Sequence, residues 1–174
     1  MYWHFVRKGW CQGVRIDIEP PQDALGLKPD DFPMPLCGAA VARGLREPEL
    51  GYWPNHTAWS AAGSVAEGLF AVQEGIWSWS KWEAHCRSNY EEEIAELVKW
   101  PDEASNFGDI GGWFRLGCEY DLPVAFDDYW RGWEEAERIV RDDWNIVKAL
   151  ALAAIATKRL SESEVLSICE TDIE

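Results

Sequence analysis

The first regular pattern along the chain is a two-residue alternation over residues 12–18. Val14, Ile16 and Ile18 are apolar there, while Arg15 and Asp17 are charged. A period of two sends successive side chains to opposite faces, so a half-buried strand is expected, stopped by Pro20-Pro21. Residues 19–36 hold five prolines among acidic residues and are expected to form a Pro-rich loop or extended edge. One or two helical turns are expected over Gly38–Leu45. Residues 47–55, with Pro48, Gly51 and Pro54, read as a further connection.

Beyond that point the period changes to between three and four. A helix is expected from Asn55 or Thr57 to Val72, with Trp59, Ala62, Ala66, Leu69 and Phe70 on one face and Gly63 and Ala66 thinning it for close packing. A second is expected from Trp77 to Trp100, its stripe being Trp82, Cys86, Tyr90, Ile94, Leu97 and Val98, with Pro101 ending it. Phe107–Tyr120 is expected to be helical although Gly108, Gly111, Gly112 and Gly117 weaken it. After Pro123 one long helix is expected from Ala125 to Arg159, striped by Trp130, Trp133, Ile139, Val140, Trp144, Val147, Leu150 and Ala154. Ser161 and Glu164 form a capping box, each side chain satisfying the other residue's exposed backbone donor, which opens a last helix ending near Cys169. The fold expected is mainly α, an α+β arrangement with a small N-terminal β element. It forms one domain over residues 1–174, mostly helical over 55–170.

Composition narrows the function classes. Acidic residues outnumber basic ones 31 to 16, a net charge of −15, which disfavours nucleic acid because phosphate must be neutralised by Lys and Arg. The same charge keeps the protein soluble and suits a basic protein partner. Twelve Trp are many for 174 residues; each indole carries a large apolar area and an N–H that wants an acceptor. The five cysteines (Cys11, Cys37, Cys86, Cys118, Cys169) are scattered and form no Cys-x-x-Cys pair, so reduced thiols in a cytoplasmic protein are expected. No stretch approaches the roughly 20 apolar residues of a membrane helix.

Four landmarks then occur in order. They are GVRIDIEPPQDALG at 13–26, the small-residue segment AAGSVAEGLF, the pair Gly108-Asp109, and WNIVKALALAAIATKRLSESEV near the end. Taken together they resemble the peptidase domain of the FtsH-type zinc metallopeptidases. The resemblance implies a helical metallopeptidase-like architecture, a zinc ion, and hydrolysis of peptide or protein substrates. In that family a His-Glu-x-x-His helix precedes the strand, two imidazoles gripping the metal while the Glu activates its water. Here only His4 can stand for the second His; Met1 falls where the catalytic Glu belongs. The resemblance therefore implies an N-terminally truncated or degenerate site, with impaired or absent activity and no assigned catalytic residue. Asp109 matches the family's downstream acidic ligand, so the candidate metal residues are His4 and Asp109. Ala66-Glu67 matches its Ala-Glu signature, Glu67 being structural.

Each assignment has a plainer counterpart. A lone His4 is a packing or surface residue, and Asp109 is a first-turn acid that complements a helix N-terminus. The ATPase half of the family is missing, since no G-x-x-x-x-G-K-[ST] loop occurs and ATP has no site of that kind. His56, His85, Cys37 and Cys86 show no zinc-site spacing, and His85 and Cys86, adjacent on a helix, point different ways. Ser60 and Ser64 lack the Gly-x-Ser-x-Gly turn of a hydrolase nucleophile. The alternative function is an acidic, Trp-rich interaction protein, of the kind a phage or mobile element encodes, acting through its negative surface.

Overall fold

The structure, a computed structural model, describes residues 11–17, 37–42, 53–157 and 159–171. The 19–36 loop and His4 lie outside these residues. The described residues are mostly helical. In chain order the elements are β1 (Cys11–Asp17), β2 (Cys37–Ala42), α1 (Trp53–Gln73), α2 (Trp79–Lys99), a 3-10 helix (Pro101–Phe107), α3 (Gly108–Glu119), α4 (Phe126–Asp142), α5 (Trp144–Thr157), β3 (Arg159–Ser161) and α6 (Glu162–Thr171). They fall into two compact units, one over Arg46–Asp142 and the other over Tyr2–Leu45 with Asp143–Glu174.

In the first unit, α1 packs along α4. The contact is close because Gly132 of α4 faces Thr57 of α1: a Cβ on Gly132 would overlap Thr57 Cγ2 and lie 2.8 Å from its carbonyl carbon. The buried positions of α1 are Trp53, His56, Thr57, Ala58, Ala61, Val65, Gly68 and Leu69. Of the stripe expected from the sequence Leu69 is among them, and the rest is corrected. Trp59, Ala62 and Ala66 are half-buried, Phe70 is exposed, and Gly63 is exposed with open space where a Cβ would go. The helix is apolar on several sides, and the side with the small residues is the one α4 can approach. Large side chains on the expected face would hold the helices apart. Gly75, at φ +70°, carries the turn that ends α1, with the Ile76 N–H bonded to the Ala71 carbonyl at 2.9 Å.

The stripe of α2 follows its expected spacing through buried Cys86, Ile94 and Leu97, although Val98 faces solvent. Cys86 is buried while His85 is exposed, so the two diverge as their adjacency on a helix requires. The buried set of α4 is Tyr129, Trp130, Gly132, Trp133, Ala136 and Val140. The single long helix expected from Ala125 to Arg159 is divided. Its first part ends at Asp142, and α5 starts afresh at Trp144. Two consecutive Asp residues are poor helix formers, and their charge opposes the negative end of the helix dipole.

In the second unit the three strands pair antiparallel in the order β2-β1-β3, with Val14 opposite both Ala40 and Leu160. Of the helical turns expected at Gly38–Leu45, residues 43–45 lie outside the described residues, and residues 38–42 form β2 instead. Its Ala residues favour helix locally, but pairing along β1 satisfies the backbone across the sheet and overrides that preference. Ile146, Leu150, Ala154, Leu160, Val165 and Cys169 form this unit's buried cluster. The capping box is present: Ser161 N–H donates to Glu164 Oε2 at 2.8 Å, and Glu164 N–H reaches Ser161 Oγ at 3.4 Å. No helix of the described residues is long and apolar enough to cross a membrane.

Two glycine substitutions should therefore separate in sign. Gly132→Ala should destabilise the fold by about 1–3 kcal/mol through overpacking against Thr57. Gly63→Ala, in open space on a helix, should stabilise it by about 0.5–1 kcal/mol. Urea unfolding of the two variants measures both.

Candidate functional site

Asp109 lies in the first turn of α3, directly after the turn at Gly108. A carboxylate there is favoured by the free N–H groups and the dipole of the helix. One turn later on the same face is Trp113, fully packed: its ring stacks on Trp53 at 5.6 Å and meets Tyr129 edge-on at 5.0 Å. Trp113 Nε1 donates to Thr57 Oγ1 at 2.9 Å, and that hydroxyl donates to the Trp53 carbonyl at 3.0 Å. Ser60, one turn beyond Thr57, donates to the backbone carbonyl of Asp109 at 2.9 Å. The AAGSVAEGLF helix and the Gly108-Asp109 turn are thereby brought together.

A second line of hydroxyls continues from this point. Ser64 accepts from the phenol of Tyr90 on α2, whose ring meets Tyr129 at 4.9 Å. Ser60 and Ser64, four residues apart, present their hydroxyls on neighbouring turns of one helix face. That spacing is visible in the sequence, but their partners are tertiary and leave no local signal.

The electrostatics of this seam are set by burial. Desolvation pushes the Asp109 carboxyl above its ordinary value although the residue retains solvent contact. The dipole at α3's first turn acts in the opposite sense. Burial pushes the Tyr90 phenol up to about 12, and raises Tyr129 further with Tyr90 adding to it. The Cys86 thiol is pushed up to about 11 by burial and then by the nearby Glu67 carboxylate. Burial also raises Glu67 and lowers His56. The thiol and both phenols are therefore neutral at pH 7, and none is activated as a nucleophile.

Of the two candidate metal residues, Asp109 is placed as described and His4 lies outside the described residues. Among the described residues no group of three or more His, Cys, Asp and Glu could hold a metal ion. They do not by themselves fit a zinc centre. His56 packs against Trp53, with ring centroids 6.2 Å apart, and His85 lies beside Trp77 and Trp82. No protein-family model, no curated protein and no solved structure matches the chain.

Two measurements follow. Thr57→Val should cost about 1–3 kcal/mol, because it strands the buried Trp113 N–H without an acceptor; denaturant unfolding reads this directly. The fold holds the Tyr90 phenol above its ordinary value of 10, which favours the neutral form. That stabilisation is complete below pH 10 and is lost as pH rises toward about 12. Tyr90→Phe should flatten the fall in unfolding midpoint across this window.

Proposed function

We propose that the chain is a zinc metallopeptidase-like domain of the FtsH type, mainly helical with a small β element, whose peptidase activity is impaired or absent. One observation supports this. Ser60, on the same helix and next to the AAGSVAEGLF segment, donates to the Asp109 carbonyl, so two landmarks of the resemblance lie on elements that touch. Asp109 is the carboxylate offered to the metal, and His4 is its proposed partner. Peptide or protein is the substrate class that the kinship implies.

Weak or absent activity is argued from the residues themselves. None of the three His (His4, His56, His85) opens a His-Glu-x-x-His sequence in these 174 residues. Losing the general base of such a site costs about 10²–10⁴ in rate.

Kinship and activity are tested apart. Crystals soaked in zinc should show one ion held by a His4 nitrogen and an Asp109 oxygen. An imidazole lying away from Asp109, or no metal at that carboxylate, ends the kinship proposal. The 174-residue chain should leave casein intact, and chelator-sensitive cleavage would overturn the claim of impaired activity.

A further inference from the structure

Beyond the peptidase kinship, the aromatic residues of the first unit divide by what covers them. Arg141 lies over Trp79 at 4.2 Å, Arg87 over Trp130 at 5.0 Å and over Phe126 at 5.5 Å, and Lys99 over Trp100 at 5.2 Å. At the turn between α1 and α2 the pattern stops. Trp77 and Trp82 meet at right angles, with centroids 5.7 Å apart and an interplanar angle of 88°, and His85 lies 5.5 Å from Trp77. Among the described residues no Arg or Lys stacks on either of these two indoles.

This corner is built and exposed. Trp82 is fixed by its Nε1 bond to the Ser64 carbonyl at 2.9 Å and by packing on Gly68, where any Cβ would overlap its ring. Trp77 stands on it with 37% of its surface exposed, next to Ile76 at 66% and Phe70 at 55%. Carboxylates border it. Glu67 and Phe70 share a face of α1 at helical spacing, Glu74 follows directly after the helix with its N–H on the Phe70 carbonyl at 3.0 Å, and Glu67 is close enough to act on Cys86, one turn from Trp82. A rigid aromatic surface, with apolar neighbours and anionic edges, in a chain of net charge −15, is complementary to a cation carried on an apolar segment.

We infer that the corner formed by Trp77, Trp82 and His85, with Phe70 and Ile76, is a docking surface for a basic amphipathic segment of a protein partner. An Arg of that segment stacks on Trp77 as Arg141 stacks on Trp79, while an apolar side chain covers Phe70 and Ile76. The carboxylates of Glu67 and Glu74 draw the segment in and fix its direction.

The probe is a labelled peptide of alternating Arg and Leu, titrated against the full chain by fluorescence anisotropy, beside the same peptide with each Arg replaced by Gln. The Arg peptide should bind and weaken with added salt, and the Gln peptide should not. Trp77→Ala should weaken binding by about tenfold, and the Glu67→Gln/Glu74→Gln pair should weaken it and flatten the salt dependence. Trp100→Ala, at an exposed indole already covered by Lys99, should leave affinity unchanged; circular dichroism checks that each variant is folded. Equal binding of the two peptides, or of Trp77→Ala and the unmodified chain, overturns the inference. So does sedimentation showing that the surface is covered by a second copy of the chain.

Discussion

The contact between Thr57 and Gly132 is the constraint on which the first helical unit depends. Thr57 is almost wholly buried and serves three helices together. Its methyl occupies the hollow left by Gly132 on α4, its hydroxyl accepts from Trp113 on α3, and it donates to its own helix at Trp53. Neither close relative does all of this. Val would keep the methyl but leave an indole N–H unpaired, and an unpaired buried donor costs more than a made hydrogen bond returns. Ser would keep the hydrogen bond but leave a void where two helices meet, with the contacts around it lost.

The same packing explains how so many indoles are accommodated. Trp133 stacks on Trp130 at 4.6 Å and on Trp79 at 5.5 Å, and its Nε1 finds no hydrogen-bond partner among the described residues. An orphaned donor costs about 1–3 kcal/mol. Two favourable aromatic pairs at about 0.5–1.5 kcal/mol each, with the area buried by a fully enclosed ring, are enough to offset it. The guanidinium groups over Trp130 and Trp79 extend this stack to the surface. The cations of α4 also pair locally: Arg131 with Asp128, Arg138 with Glu135 and Asp142, and Arg141, besides covering Trp79, with Glu137. These exposed pairs contribute little to stability.

The helical character of the chain is legible wherever a residue acts through its own backbone. Pro101 marks an end because it removes a donor, and Ser161 with Glu164 marks a beginning because the two cap it. Legibility fails where the deciding partner is distant in sequence. The apolar residues of α1 surround most of the helix, so periodicity does not choose between the side of Trp59 and Phe70 and the side of Ala58, Ala61 and Val65; only the approach of α4 does. The stretch Cys37–Ala42 is likewise decided by its pairing with β1 and not by its alanines. At the site, Asp109 is readable as a first-turn acid, whereas Ser60, Ser64 and Tyr90 acquire their roles only when α1, α2 and α3 are in contact.

Asp109 shows two opposing effects on one first-turn carboxylate. A first-turn carboxylate whose only task is to complement the helix dipole gains from that field and has its proton affinity lowered. Asp109 goes the other way, its affinity raised by desolvation, and the bond from Ser60 engages its carbonyl instead of its carboxylate. A carboxylate kept partly from water is costly in the anionic form, and that cost is relieved by a proton. The dipole explains why an acid is tolerated at the start of α3, and the desolvation explains why its proton is held more tightly than that of an open carboxyl.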